Sequence, residues 1–187
     1  MGCVLTAGIA KTCDNLPNGG LRQQTVWLIN LEDIASVTYD GTNANIITAI
    51  TLKTSKTAFK FDGFGTSTKP AYRQVTGRGF GPTFEHEVGL QIFDLSYVGK
   101  DILPELSQSK VVAVVETNND AQPLEVYGIG QGMLATSQEH IKTDAASGGT
   151  ITVVLKTPED GPAERKAPND WLATDRATTL ALIVALE

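Results

Sequence analysis

The chain has 187 residues, a hydrophobic fraction of 41% and a formal net charge of −6. This length and hydrophobic fraction predict one soluble domain with a sizeable core and exclude disorder of the whole chain. No apolar run reaches the roughly 18 residues of a membrane-spanning helix, and no cluster of lysine and arginine is dense enough to hold a phosphate backbone. Charged residues make up only 19%, below the roughly 25% of an ordinary domain. This favours extensive contacts between subunits, since fewer charges lose water on association.

The N-terminal stretch holds the two cysteines of the chain, Cys3 and Cys13. Nine residues separate them, which suits neither a CxxC redox pair nor a four-ligand zinc site, so a local disulfide and two free thiols are the alternatives. Residues 1–6 also fit the myristoylation pattern, but no basic cluster follows as a second membrane signal. No signal-peptide pattern is present. Reduced thiols, or oxidation late after release, are therefore expected rather than a bridge needed for folding.

Residues 20–64 predict a run of β-strands. Alternating and β-branched residues indicate strands at 25–31, 36–40, 46–54 and 58–64, which are predicted to pair as a meander. Between residues 65 and 77 the chain becomes polar and basic. This segment is predicted to be a long, mobile loop or hairpin end rather than part of the core.

The clearest periodicity lies at residues 83–92 and predicts a half-buried strand. Its apolar side holds Phe84, His86, Val88, Leu90 and Ile92, and its polar side holds Thr83, Glu85, Glu87 and Gln91. After Asp94 the apolar residues recur at helical spacing, and Asp94 and Ser96 are available to cap a helix. Because Pro104 is tolerated in a first turn, this helix is predicted to be short and to begin at Asp101.

The remaining elements are predicted from shorter patterns. Residues 110–116 predict a buried strand, 117–120 a turn, 123–133 further extended chain, and 150–157 the last strand of the core. Residues 163–168 are charged and linker-like. The apolar residues of 178–186 fit the spacing of a helix and of a strand, and the threonine, isoleucine and valine among these residues favour a strand. Residues 1–162 are therefore assigned to one β domain and residues 163–187 to a C-terminal extension.

Catalytic chemistry has little support in the sequence. On an alternating strand His86 points away from Glu85 and Glu87, and His140 has only Glu139 beside it, so no metal-ligand spacing emerges. The glycine-rich segment 128–132 lacks the Lys-Ser/Thr ending of a phosphate-binding loop and is not a strand-to-helix GxGxxG. No catalytic, metal-binding or cofactor-binding residue is predicted, and an enzyme is not expected.

The order of elements resembles the tail tube proteins of long-tailed bacteriophages, in particular those of phages and prophages of Bacteroidetes. The resemblance covers about residues 1–163. It rests on the cysteines around a small loop, the strand 25–31, Tyr39-Asp40 before a meander, and the segments "FEHEVGLQIFDLS", "VVAVVETNND", "VYGIGQGM" and "GGTITVVLKTPEDGPA".

This resemblance implies a mainly β protein with one short helix, built as a β-sandwich or small barrel. It implies hexameric rings whose inner strands close into a continuous β-barrel, stacked into a tail tube through which DNA passes without specific binding. Other copies and other tail proteins are the implied partners. The protein is expected in the virion after synthesis in the host bacterial cytoplasm, with no membrane association. The net charge of −6 is compatible with a lumen that must not bind DNA.

Two other classes compete with this interpretation. One is another phage structural protein, such as a capsid decoration or head-tail joining protein, which would also be rich in β-strands and free of catalytic groups. The other is a carbohydrate-binding or adhesin β-sandwich module, for which Trp171, Tyr72 and Tyr97 are the candidate aromatic platforms.

Inter-subunit contacts are expected from the loop 65–77 and the C-terminal extension. Lys69, Arg73 and Arg78 are expected to meet acidic groups of a neighbouring subunit. The apolar residues Leu180, Leu182 and Val184 are expected to pack on another subunit or to add a strand to its sheet. The alternative is a solvated loop and a tail that packs on its own chain.

Overall fold

A computed structural model describes residues 20–76, 81–143, 149–159 and 163–187. Within these ranges the chain forms eleven strands and two helices. Their bounds are β1 Leu21–Asn30, β2 Ile34–Tyr39, β3 Ile46–Leu52, β4 Phe59–Phe61, β5 Lys69–Val75, β6 Thr83–Ile92, α1 Tyr97–Gln108, β7 Val111–Thr117, β8 Leu124–Tyr127, β9 Leu134–His140, β10 Ile151–Lys156, β11 Asn169–Trp171 and α2 Arg176–Val184.

The strands form two sheets. A seven-stranded sheet has the order β2-β3-β11-β8-β7-β1-β4, and a four-stranded sheet has the order β5-β6-β10-β9. Neighbouring strands are antiparallel except β3 and β11, which are parallel. The expectation of a mostly β, sandwich-like protein is therefore confirmed.

Two apolar clusters make up the core. The first lies between the sheets, where alternate residues of β6 and β10, such as Leu90 and Val153, meet Val26 and Ala113 of the larger sheet. The second lies on the other face of the larger sheet, where α2 places Ile183 against it. Strand β7 is buried along its whole length because both of its faces are covered, which explains its continuous apolar sequence.

The meander is confirmed only for β2 and β3. Strand β4 pairs with β1, with Val26 opposite Phe61, rather than with β3. The second edge of β3 is taken by β11, in which Trp171 lies opposite Ile47. The prediction that residues 58–64 continue the meander is therefore wrong, because a strand from late in the chain occupies that position.

Helix α1 begins four residues before the predicted start, at Tyr97 rather than Asp101. Ser96 caps it, with its hydroxyl oxygen accepting a hydrogen bond from the N–H of Val98 at 3.2 Å, while Pro104 lies in the helix interior. Pro104 and Lys100 are both exposed. Pro104 has no N–H to donate to the carbonyl oxygen of Lys100, as a residue in the helix interior otherwise does. That carbonyl lies on the exposed side of the helix, where water can donate the hydrogen bond instead.

Residues 69–75 are a strand and not a loop. Strand β5 pairs with β6 from Lys69 opposite Gly89 to Val75 opposite Thr83. Most of its residues are exposed, since it forms an edge of the smaller sheet. A polar composition therefore reflected an exposed edge strand, and the prediction of a loop was wrong for this part of the segment.

The C-terminal segment belongs to the fold of its own chain. Strand β11 lies inside the larger sheet between β3 and β8, and Trp171 is fully buried. Residues 176–184 form a helix capped by Asp175, whose carboxylate accepts from the N–H of Thr178 at 2.8 Å, so the predicted strand is wrong. Residues 163–168 are not a linker, because Ala163 and Glu164 are buried. A boundary at residue 162 would cut through this packing.

Candidate assembly surfaces

The four-stranded sheet has two open edges. Strands β5 and β9 each have one neighbour in the part of the chain that the structure describes, β6 and β10 respectively. The unpaired side of an edge strand presents N–H and C=O groups that another strand can bind. Pro70 lies in β5, as expected where a missing N–H costs little.

The directions of these edges allow head-to-tail pairing between copies. Each step across the sheet, from β5 to β6 to β10 to β9, is antiparallel, so β5 and β9 run in opposite directions. A second copy rotated about an axis would place its β5 beside β9 as one more antiparallel pair. Such a contact uses different surfaces on the two partners and can close into a ring.

The outer face of the four-stranded sheet is polar and carries charges of both signs. Its cations are Lys69, Arg73 and Lys156, and its carboxylates are Glu85, Glu87 and Glu139, as the register of the strands shows. Arg73 Nη2 lies 2.8 Å from Glu85 Oε1, and Lys156 Nζ lies 3.1 Å from the same oxygen. Hydrogen bonds to Glu159 and Glu85 raise the pKa of Lys156. The face is therefore balanced in charge rather than basic.

One end of this sheet carries an exposed apolar patch, which we call the end patch. It consists of Phe93, Leu95, Tyr97, Val98 and Ile141, whose side chains are between 41% and 77% exposed. Ile141 belongs to the same end as the others because Ile92 and His140 both pair with Ile151. Exposed apolar residues gathered at one end of a sheet make this end a candidate interaction site.

The glycine-rich segment 128–132 holds a carboxylate of its own chain. Glu164 is buried and accepts hydrogen bonds from the N–H groups of Gly130 at 3.2 Å and Gln131 at 2.7 Å. Burial raises the pKa of Glu164, although these two donors act to lower it. The loop therefore anchors the C-terminal segment to the chain.

His86 is a structural residue at the junction of the two sheets. Its Nδ1 accepts from the N–H of Gly128 at 3.0 Å, and its Nε2 lies 3.0 Å from the carbonyl oxygen of Lys166, to which it donates. Burial lowers the pKa of His86 to about 4. The ring is therefore neutral at neutral pH, with both nitrogens occupied.

We expect Gly130→Ala to lower the free energy of unfolding by about 1–3 kcal/mol, because it would disturb hydrogen bonds to a buried charged group. A Cβ at this position would lie 2.5 Å from Glu164 Oε2, so the carboxylate must move away from its donors. Urea unfolding measures the change. Gly41→Ala is the matched control, since a Cβ there meets nothing within 4 Å. Equal unfolding midpoints for the two variants would contradict this role of Glu164.

Other polar groups among the described residues do not assemble into a metal site. Asp170 and Glu125 lie opposite each other on β11 and β8, and burial together with the charge of Glu125 raises the pKa of Asp170 to about 6. Asp170 accepts a hydrogen bond from Gln122 at 2.8 Å. Across residues 20–76, 81–143, 149–159 and 163–187, no group of three or more His, Cys, Asp or Glu residues is placed to hold a metal ion. No helix in these ranges is both long and apolar enough to span a membrane.

The basic residues predicted to meet a neighbour have different positions. Lys69 is exposed on the open edge strand β5. Arg73 lies on the same strand, but its guanidinium pairs with Glu85 of its own chain. Arg78 lies outside the described residues. Lys69 is thus the described cation best placed to meet another copy.

The apolar residues predicted for contacts lie on α2. Leu180 packs against the second core cluster, whereas Leu182 and Val184 are exposed. Because α2 covers the larger sheet, the structure does not bring these residues together with Lys69 and Arg73 on the smaller sheet. Cys3 and Cys13 lie outside the described residues, so their pairing stays a prediction.

Strand β9 is the open edge strand that sequence reasoning missed. Its sequence LATSQEH contains a single β-branched residue, Thr136, and therefore gives a weak strand signal. Only its pairing with β10 identifies it as an open edge, and only that pairing places Glu139 on the charged outer face.

Comparison of the chain with protein-family models, with curated proteins and with solved structures found no match.

Proposed function

We propose that this protein is a structural virion subunit that self-assembles into stacked hexameric rings and forms the tail tube of a phage. The observation that carries the proposal is the four-stranded sheet with two open, oppositely directed edges. The hexameric ring and its stacking into a tube are taken from the sequence resemblance to tail tube proteins. The role is structural and not enzymatic, and it requires no cofactor.

Ring closure follows from joining β9 of one copy to β5 of the next. An isolated subunit leaves the hydrogen-bonding groups of both edges to water, whereas a closed ring pairs those along the length that β5 and β9 share. Each copy contributes both kinds of edge, so the contact repeats around the ring without a free end.

The outer face of the four-stranded sheet faces the lumen in this arrangement. Its cations and carboxylates are interspersed, with Glu85 between Arg73 and Lys156. Such a face offers no basic track on which a phosphate backbone could release counterions. DNA would therefore slide past it without being held.

The end patch lies at the end of strands that form the wall of the ring, and therefore at its rim. Stacking a second ring would cover these apolar side chains and remove them from water. Tyr97, which is 77% exposed, would lose the most exposure. Contacts between rings are thus assigned to the end patch and contacts within a ring to the strand edges.

A carbohydrate-binding module is less well supported. Trp171, one of its three candidate platforms, is fully buried. Tyr72 and Tyr97 lie on β5 and α1, and Tyr72 packs against Phe84 with ring centroids 6.4 Å apart. A sugar-binding platform needs exposed aromatic faces that lie together.

Electron microscopy and sedimentation of the purified protein over a range of concentrations test the proposal. Rings, and tubes of stacked rings at higher concentration, are the expected result. A monodisperse monomer at the highest concentration would contradict the proposal. Discrete trimers that do not stack would favour a capsid decoration protein instead.

A further inference from the structure

We propose that a charge pair between copies, Lys69 of one subunit and Glu139 of its neighbour, fixes the register with which β5 joins β9. The inference rests on the proposed function and goes beyond it by naming the residues that set the alignment.

The two side chains project from the same face of the sheet. Lys69 lies opposite Gly89 on β6, and Glu139 lies opposite Thr152 on β10, which in turn lies opposite Gln91. Gly89 and Gln91 are two positions apart on one strand and therefore share a face. Lys69 and Glu139 accordingly both belong to the polar outer face.

The offset between β9 and the neighbour's β5 must be an even number of residues. An odd offset would turn the inner face of the neighbour's β5, with Pro70, Tyr72 and Gln74, to the outer side of the sheet, because side chains alternate along a strand. We define the offset as zero when Lys69 of the neighbour lies opposite Ser137. Both residues lie on the line across the sheet that passes through Gly89 and Val154. Glu139 then lies diagonal to Lys69.

Larger even offsets keep the two charges together. Strand β5 lies beside the part of β6 that runs from Gly89 to Thr83, whereas β9, across β10, lies level with the part of β6 that runs from Glu87 to Ile92. Moving the neighbour's β5 in the direction of Ile92 therefore lengthens the stretch over which β5 and β9 overlap. An offset of about two residues puts Lys69 directly opposite Glu139, and one of about four puts Ala71 opposite it with Lys69 and Arg73 on the diagonals. Directly opposite side chains lie closer together than diagonal ones, so the charge pair favours the offset of about two residues over the other even offsets.

The partners of each charge in its own chain favour Lys69 over Arg73. Arg73 already pairs with the buried Glu85. Lys69 and Glu139 are both exposed, and within the described residues neither takes part in an ion pair. A second copy of this chain supplies the complementary charge to each of them, which is the ordinary means by which charges specify alignment.

A charge exchange tests the pair in the full-length protein. Lys69→Glu and Glu139→Lys, each alone, place like charges across the contact, and each is expected to raise the concentration for half-maximal assembly roughly fivefold, the factor for about 1 kcal/mol per contact. The double variant K69E/E139K restores the opposite charges and the wild-type net charge, so it is expected to assemble as the wild type does. Circular dichroism confirms that every variant is folded.

The matched control is K53E/E139K, which has the same net charge as the double exchange. Lys53 is exposed and directly follows β3 of the seven-stranded sheet, so this variant is expected to keep the assembly defect of Glu139→Lys. Rescue by K53E/E139K equal to that by K69E/E139K would mean that net charge alone matters, and it would overturn the pairing.

Cross-linking provides a readout that does not depend on affinity. In a background in which Cys3 and Cys13 are replaced by serine, K69C/E139C treated with a short bis-maleimide is expected to give a ladder of covalent oligomers in a denaturing gel. The pair K53C/E139C is expected to give monomer. Tubes that form without such a ladder and without charge-exchange rescue would overturn the register while leaving self-assembly intact. A wild-type protein that never assembles would instead overturn the proposed function, and the register with it.

Discussion

Trp171→Ala is expected to lower the free energy of unfolding by about 3–5 kcal/mol, the range for removing a large aromatic side chain from a packed core. Trp171 is fully buried, and its strand β11 lies between β3 and β8 in the middle of the larger sheet. The substitution would open a cavity in the second core cluster, where Trp171 packs with Ile47 and Leu124. Urea unfolding followed by circular dichroism measures the loss.

Trp171→Phe is the matched control for this prediction. The Nε1 of Trp171 is buried and has no hydrogen-bond partner within the described residues, so phenylalanine keeps much of the apolar contact and removes an unpaired donor. We expect it to lose much less stability than alanine. An alanine variant within about 0.5 kcal/mol of the wild type, the range of ordinary surface substitutions, would contradict the position of β11.

Arg176→Ala is expected to have an effect of similar size, about 3–5 kcal/mol, because it leaves a buried carboxylate without its cation. The guanidinium of Arg176 pairs with the carboxylate of Glu116, which is 3% exposed, and also donates to the carbonyl oxygen of Thr117 at 2.9 Å. These contacts tie the first turn of α2 to the end of β7. Urea unfolding again measures the change.

Two variants separate this effect from the loss of a surface charge. Arg22→Ala removes an exposed pair with Asp120 at 3.3 Å, and an exposed pair is worth only about 0–1 kcal/mol. Arg176→Ala combined with Glu116→Gln removes the uncompensated charge and is expected to recover part of the loss. A loss for Arg176→Ala no larger than that for Arg22→Ala would contradict the burial of the pair.

Strong local periodicity predicted some elements well. Strand β6 alternates over its whole length, and β7 is a continuous β-branched run, so local sequence was enough to place both. Ser96 was one of two candidate caps, with Asp94, although the helix itself was predicted to begin at Asp101. The interior position of Pro104 was not predicted, because it depends on the helix turning that residue towards solvent.

Elements whose identity depends on distant partners were missed. Strand β5 has the composition of a loop because it forms an exposed edge, and only its pairing with β6 identifies it. The sequence of α2 fits the spacing of a helix and of a strand. Its packing on the larger sheet through Ile183 favours the helix, and local sequence does not show that packing. Asp175 at the N-cap is a helix-start signal that the prediction did not use.

Of the two residues in the proposed charge pair, only Lys69 was singled out from the sequence. Lys69 was recognised as an exposed cation outside the core. Its position on an open edge strand depends on the pairing of β5 with β6, which the local sequence did not indicate. Glu139 carried no signal at all, since a lone carboxylate in a polar stretch is ordinary. Which charges share a face is set by strand register, and register is not visible in local sequence.

Electron cryomicroscopy of the assembled particle, at a resolution that separates strands, is the decisive test of the proposed ring contact. We expect rings in which β9 of each copy is hydrogen-bonded to β5 of the next, with the outer face of the four-stranded sheet lining the lumen. A particle whose copies meet through other surfaces, or whose lumen is lined by the seven-stranded sheet, would contradict it.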